Sequence, residues 1–280
     1  MALFTPTAYW GEDSSPPAPF APSDIPNLAA WYDASDTSTY RMSGTQIAGI
    51  QGRNGYGDDL DSAGNTYPVA GSTQNGLNTL YFNGSGLFVN PYNDPLATNG
   101  LHFAVGVFYP QNVNATKDSL WSLESTSYNY AVSSNQNFAW WGEVDMGNGV
   151  GSNIRIGPFS STNYENQWII VSVAFTKLPS PNMVQFWINA HVGSSSNGWR
   201  TTYLTNLDTN QKLRIMANRS GGKKQEGRFG ELLIYNGECG VPGTVDDNLF
   251  YRYQAEGYLA WKWGLQAKLP SNHPYRNSAP

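Results

Sequence analysis

Charged side chains are scarce. Asp, Glu, Lys and Arg together make up 13 % of the 280 residues, about half the usual share, so the exposed surface must be carried by neutral polar groups. The 16 Lys and Arg against 21 Asp and Glu leave a net charge of −5. That excludes a broad positive footprint for nucleic acid or an anionic membrane, and neither is expected as a partner. A single cysteine, Cys239, excludes an intrachain disulfide, and no Cys/His grouping has zinc spacing. No run approaches 18 apolar residues, and the N-terminus, Met1-Ala2-Leu3-Phe4-Thr5-Pro6-Thr7, has neither a basic n-region nor an apolar h-region. The expectation is a chain that is neither Sec-exported nor membrane-spanning. The glycosylation-type tripeptides at Asn83, Asn114 and Asn218 are then chance matches.

What is present is apolar and aromatic: hydrophobic residues account for 40 % of the chain and aromatics for 14 %, enough for a sizeable core and too much for disorder. Strand candidates follow one another at Thr79 to Phe82, Leu87 to Asn90, Leu101 to Tyr109, Ser119 to Leu123 and Asn137 to Val144. They continue at Asn153 to Ile156, Trp168 to Phe175, Met183 to Asn189, Leu213 to Met216 and Phe229 to Tyr235. Leu101, Phe103, Val105, Val107 and Tyr109 alternate onto one face, as do Ile169, Val171, Val173 and Phe175, the period of a sheet packed on a core. Seven Asn-Gly pairs punctuate the chain, and Asn-Gly is the strongest short hairpin signal. Residues 44 to 76, rich in Gly, Asn and Asp, predict loops with short extended pieces. One late helix is expected around Ala255 to Leu265, with Thr244 as N-cap and Gly264 and Pro270 as stop signals. Its sheet-facing stripe is predicted to be Phe250, Tyr253, Gly257, Trp261 and Leu265. The fold class is therefore all-β: two stacked sheets with one late helix.

Residues 1 to 22 form a separate arm. Pro6, Pro16, Pro17, Pro19 and Pro22 prevent sheet pairing or helix and keep it extended. Phe4, Tyr9, Trp10 and Phe20 give it four aromatics, more than a spacer needs. Such an arm is pinned either to its own domain or to another chain, and of the two another chain is the expectation. Residues 23 to 280 form one domain with no fixed-period repeat.

Three segments resemble the concanavalin A-like, laminin-G-like jelly-roll modules of bacteriophage virion proteins and some bacterial surface proteins. The first is Ile25-Pro26-Asn27-Leu28 with Trp31-Tyr32-Asp33-Ala34-Ser35-Asp36. The second is Leu80-Tyr81-Phe82-Asn83-Gly84. The third is Gly230-Glu231-Leu232-Leu233-Ile234-Tyr235-Asn236, followed by the Ala255 to Leu265 stretch and His273-Pro274-Tyr275. The resemblance implies a concanavalin A-like jelly-roll β-sandwich acting as a binding or structural module.

The most enzyme-like string is Trp140-Trp141-Gly142-Glu143-Val144-Asp145. Glu143 and Asp145, two apart on a strand, project from one face and are similar to the first two carboxylates of laminarinase-type glycoside hydrolases. The positions expected to carry the general acid hold Gly147 and Asn148, so a retaining mechanism lacks its proton donor unless Glu124 or Glu165 arrives from another strand. The same string suits a sugar-binding groove, with Trp140 and Trp141 stacking on sugar rings and Glu143 and Asp145 accepting hydroxyl hydrogen bonds. Asp58, Asp59 and Asp61 resemble half of a Ca²⁺ loop, but the EF-hand's twelfth-position glutamate is absent. They predict a solvated acidic turn, with a looser Ca²⁺ site as the alternative; no other cofactor is implied. His273 is expected to pack and hydrogen-bond, and the Arg219 to Arg228 cluster to form a solvated hairpin tip.

The expected function is non-enzymatic: a virion structural protein, as capsid decoration or tail or fibre component, docked through its arm onto the major capsid or tail protein. A homo-oligomer, with a glycan-binding face toward the host, fits the same reading. The alternatives are a carbohydrate-binding module for host adhesion and a laminarinase-like glycoside hydrolase.

Overall fold

The computed structural model describes residues 19–54, 60–62, 67–84, 88–89, 102–112, 119–124, 129–135, 139–145, 153–160, 164–177, 182–192, 200–202, 212–217, 225–236 and 250–280. In chain order the first strands are β1 (Leu28–Asp33), β2 (Tyr40–Ser43), β3 (Gln46–Ile50), β4 (Leu60–Ser62), β5 (Val69–Ala70), β6 (Leu80–Asn83), β7 (Phe88–Val89), β8 (His102–Gln111) and β9 (Ser119–Glu124). They are followed by β10 (Asn129–Asn135), β11 (Ala139–Asp145), β12 (Asn153–Ser160), β13 (Ile169–Lys177), β14 (Asn182–Ile188), β15 (His191–Val192), β16 (Arg200–Thr202), β17 (Lys212–Ile215) and β18 (Glu226–Asn236). Among the described residues there is one α-helix, α1 (Phe250–Trp263), after the last strand.

The strands form two antiparallel sheets. The first runs β15-β14-β13-β8-β18-β6-β5, with β1 also on β18 and β16 also on β14; the second runs β12-β11-β10-β9-β17-β7-β4-β3-β2. One edge of β18 pairs with β8 along its length, while the other is shared between β6 at Glu226 to Phe229 and β1 at Glu231 to Tyr235. Alternation on β8 sorts its side chains as the sequence predicts. Phe103, Val105 and Val107 turn to α1, with Tyr109 half-buried beside them, and Ala104 and Phe108 turn to the second sheet. On β13, Ile169, Val171 and Val173 enter the core between the sheets, whereas Ile170 and Ala174 enter the helix-side core. Where α1 crosses it, the first sheet is thus buried on both faces. Each large side chain so enclosed contributes about 1.5–3 kcal/mol.

All ten expected strands are present, with shifted ends. The unpredicted β10, Asn-Tyr-Ala-Val-Ser-Ser-Asn, has no apolar alternation to announce it; it exists because β9 and β11 pair along both its edges. Of the Asn-Gly pairs, Asn75-Gly76 forms a tight turn with φ of 51° and 75°, closed by paired backbone bonds between Gln74 and Leu77. That turn caps α1: Asn75 Nδ2 donates to the Lys262 carbonyl (2.9 Å) and Gln74 Nε2 to that of Trp263 (2.8 Å). The helix stops at Gly264, as its sequence signals require. Thr244 lies outside the described residues.

The orientation of α1 departs from expectation. Its sheet-facing side is Arg252, Ala255, Glu256, Leu259, Ala260 and Trp263, all buried, while Phe250 is 43 % and Trp261 37 % exposed. Arg252 and Glu256 face the sheet as an ion pair, so a stripe chosen for apolarity misses them. Most of the predicted stripe instead receives the C-terminal tail: the His273 ring stands edge-on to Tyr253 at 5.1 Å, and Trp261 Nε1 donates to the Tyr275 carbonyl (2.9 Å). A Cβ at Gly257 would lie 2.5 Å from the Cβ of Tyr275, so the glycine admits the tail rather than the sheet. Gly257→Ala is expected to cost about 1–3 kcal/mol by overpacking, read as a lowered denaturation midpoint that a second Tyr275→Gly change, which removes the opposing Cβ, partly restores. A neutral Gly257→Ala would show that the tail does not press on the helix.

Candidate functional site

The resemblance-bearing segments meet in a buried polar knot. Lys262 of α1 places Nζ 2.7 Å from Asp33 Oδ2 at the end of β1 and 2.7 Å from Glu231 Oε2 on β18. Asp33 also accepts from Arg53 Nη1 (2.7 Å), Ser35 N (2.9 Å) and Ser35 Oγ (2.6 Å). Glu231 accepts from Trp31 Nε1 (2.7 Å), Trp263 Nε1 (2.9 Å) and Tyr258 OH (3.1 Å). Burial works against ionisation of Asp33, but Lys262 and the Ser35 bonds outweigh it and hold its carboxyl below the ordinary value. Burial, reinforced by the Asp33 charge, pushes Glu231 up against the opposing pull of Lys262 and Trp263. Both carboxylates are nearly or fully inaccessible and filled with donors, so the knot fastens the first strand, the last strand and the helix together. A second knot lies on the same helix. Arg252 Nη1 bridges both Glu256 oxygens (2.8 and 2.7 Å), Ser172 Oγ donates to Oε1 (2.7 Å), and His273 Nε2 lies 3.3 Å from Oε2. His273 is therefore the packing and hydrogen-bonding residue its motif implies.

The second sheet offers a different surface. Ile50, Leu60, Phe88, Ile215 and Trp121 point into the core between the sheets. The alternate positions form one cross-strand row that spans all nine strands of this sheet: Arg41, Gly49, Asp61, Val89, Arg214, Ser122, Ala131, Glu143 and Arg155. The next row on that parity holds Lys212, Glu124, Asn129, Asp145 and Asn153. Strand pairing thus brings the positions of Asp61, Glu143, Asp145 and Glu124, far apart in sequence, onto the face turned away from the core. Along β11, Trp141 shares the parity of Glu143 and Asp145, and Trp140 has the other; the side chains of all four lie outside the described ones. Asp61 is ion-paired with Arg41, and Ser122 is buried with its hydroxyl donating to the Ala217 carbonyl (3.1 Å).

No family model matches the sequence, and no curated protein does. Among solved structures, the receptor-binding domain of botulinum neurotoxin D is similar with a TM-score of 0.52 at 9 % identity, the match covering 81 % of this chain and 53 % of that one. Domain 4 of AbnA, a GH43 extracellular arabinanase from Geobacillus stearothermophilus solved with arabinotriose, gives 0.49 at 14 % identity over 75 % of this chain and 93 % of that one. Trypanosoma rangeli sialidase gives 0.48 at 13 % identity over 75 % of this chain and 30 % of that one. The fold is a jelly-roll-like β-sandwich. At these identities the likeness is one of fold.

Of the Ca²⁺-type residues, Asp58 and Asp59 lie outside the described residues; among those described, no three His, Cys, Asp or Glu side chains cluster as metal ligands. Of the arm, Phe4, Tyr9 and Trp10 lie outside them too. Phe20 packs on its own chain, its ring 6.0 Å from that of Tyr258, beside the buried Pro22 whose carbonyl accepts from Tyr235 OH (3.2 Å). Arg228 is not part of a hairpin tip. It sits within β18 and stacks on Tyr109, its guanidinium carbon 4.7 Å from the ring centroid, because the strand begins two residues before it. Arg219, Lys223 and Lys224 lie outside the described residues. The sequence reading missed Glu231, Lys262, Arg252 and Glu256 as a set. The signals were there: a glutamate set directly before the apolar run Leu232 to Tyr235, and an Arg/Glu pair at i,i+4.

Proposed function

We propose that the chain is a carbohydrate-binding β-sandwich module whose ligand lies across the outward face of the second sheet, centred on Trp141, Glu143 and Asp145. The observation that carries this reading is the pair of cross-strand rows, which sets carboxylate, amide and guanidinium residues side by side on one face with Trp141 on the same parity. Paired polar groups beside an aromatic ring are the chemistry that holds sugar hydroxyls and covers a sugar's apolar face. α1 covers much of the outer face of the first sheet, whereas an outer row of the second sheet runs across all nine of its strands. Titration against a glycan array should give binding that Trp141→Ala weakens about 10-fold or more while the unfolding midpoint stays put, as expected for loss of a stacking anchor. Binding to no glycan, or equal binding by the variant, sinks the proposal.

Register also favours a second reading, hydrolysis, because Glu124 shares a row with Asp145 across Asn129. New reducing ends in a bound glycan would replace binding with catalysis. The virion role rests on the motif resemblance; since Phe20 is engaged by its own helix, an arm that anchors the module to a capsid or tail protein would do so through Phe4, Tyr9 and Trp10.

A further inference from the structure

The outward face of the first sheet holds a separate cleft beyond the end of α1. Cross-strand pairing sets Tyr81 of β6, Arg228 of β18 and Tyr109 of β8 in one row, with Glu226 and Gln111 paired in the next. The cleft has a volume of about 260 Å³ and is lined by Ala70, Gly71, Ser72, Tyr81, Gln111 and Arg228. Pockets for drug-sized ligands run to roughly 300–1,000 Å³, so this one suits about a single sugar ring.

Its chemistry is specific. Arg228 is held by its stacking on Tyr109 at 4.7 Å. Tyr109 rests on Trp168 (5.4 Å between centroids), which stacks on Trp263 of α1 (6.1 Å). The guanidinium is thus positioned by an aromatic ladder, yet no carboxylate pairs with it among the described residues, and its buried Nε has no hydrogen-bond partner. Gln111 Oε1, also buried, has none either. The nearby carboxylate, Glu226, is engaged by Tyr81 OH (2.8 Å) and Asn112 Nδ2 (2.5 Å). An oriented guanidinium without a direct ion pair among the described residues suits an anion of carboxylate geometry. The Gln111 amide, the Ser72 hydroxyl and the outer lone pairs of Glu226 call for hydroxyl groups beside that anion, and the Tyr81 ring for an apolar face.

We propose that this cleft binds a carboxylated monosaccharide of the uronate type, its carboxylate on Arg228 and its hydroxyls toward Gln111, Ser72 and Glu226. The site is independent of the second sheet. Calorimetric titration of the full chain with glucuronate and galacturonate, against glucose, galactose and acetate, tests it. At least one uronate should bind, more tightly than its neutral sugar and than acetate, and added salt should weaken it. Arg228→Gln should lose about 10-fold or more, the worth of a charge-assisted bidentate contact, and Gln111→Ala should lose less while folding normally. Trp141→Ala should leave uronate binding unchanged, which separates this inference from the proposed function. No uronate binding, glucose binding as tightly as glucuronate, or full affinity in a folded Arg228→Gln or Gln111→Ala protein overturns it.

Discussion

Replacing Lys262 by methionine is expected to cost about 3–5 kcal/mol of stability, the loss seen when one partner of a buried ion pair is removed. Methionine keeps most of the length and apolar surface of the lysine stem, so the change isolates the charge. Without Nζ, Asp33 retains Arg53 and Ser35. Glu231 retains only neutral donors, Trp31, Trp263 and Tyr258, and is wholly buried. The strain therefore falls on Glu231, and Lys262→Met with Glu231→Gln should recover a large part of the loss, because a neutral amide is far easier to bury than an unpaired carboxylate. Denaturant unfolding of both single variants and the double gives the coupling directly. A loss below about 1 kcal/mol in Lys262→Met would place the knot with surface ion pairs and remove its role as the fastener.

That knot explains why the family resemblance was legible while the reason for it was not. Trp31, Asp33, Glu231 and Lys262 are spread over more than two hundred positions and meet only because β1 pairs with β18 and α1 crosses both. The motif residues are fold-fastening residues, so they identify an architecture and leave the ligand open. Strands with clean alternation, such as β8 and β13, were legible because each face meets its own core. The helix was legible in place but not in orientation. Its sheet side carries Arg252 and Glu256, which hydrophobic periodicity discounts, and its apolar outer stripe is taken by a tail whose path no local pattern states. The cleft around Arg228 was illegible because four chain segments build it, and Arg228 lies close in sequence to other basic residues that suggested a solvated turn. The rows of the second sheet depend on register, and register across nine strands is a product of pairing rather than of any one strand's sequence.

Arg252→Met is the second large effect, and its sign depends on pH. In the native chain, burial opposes ionisation of Glu256, but Arg252, with the His273 and Ser172 bonds, holds its carboxyl below the ordinary 4.5. A carboxyl lowered by folding stabilises the protein above that ordinary value, and the contribution is lost as pH falls through the lowered one. Asp33, also lowered, acts in the same direction below its own ordinary 3.8. The native protein should therefore weaken in acid below about pH 4.5. Removing Arg252 deletes the largest lowering influence and leaves burial opposed by only the His273 and Ser172 interactions, so the Glu256 carboxyl is expected to rise. Its contribution then reverses: stability is retained in acid and lost as pH rises through the raised value. The variant should be about 3–5 kcal/mol less stable than the native protein at about pH 7, with the gap narrowing steadily toward about pH 5 as Glu256 takes up a proton. Urea unfolding midpoints across that range measure it, and Arg252→Met with Glu256→Gln should show a smaller gap with no such slope. A gap that stays constant with pH would mean that Arg252 acts through its packing on Trp187, 4.3 Å from guanidinium carbon to ring centroid, rather than through the charge of Glu256.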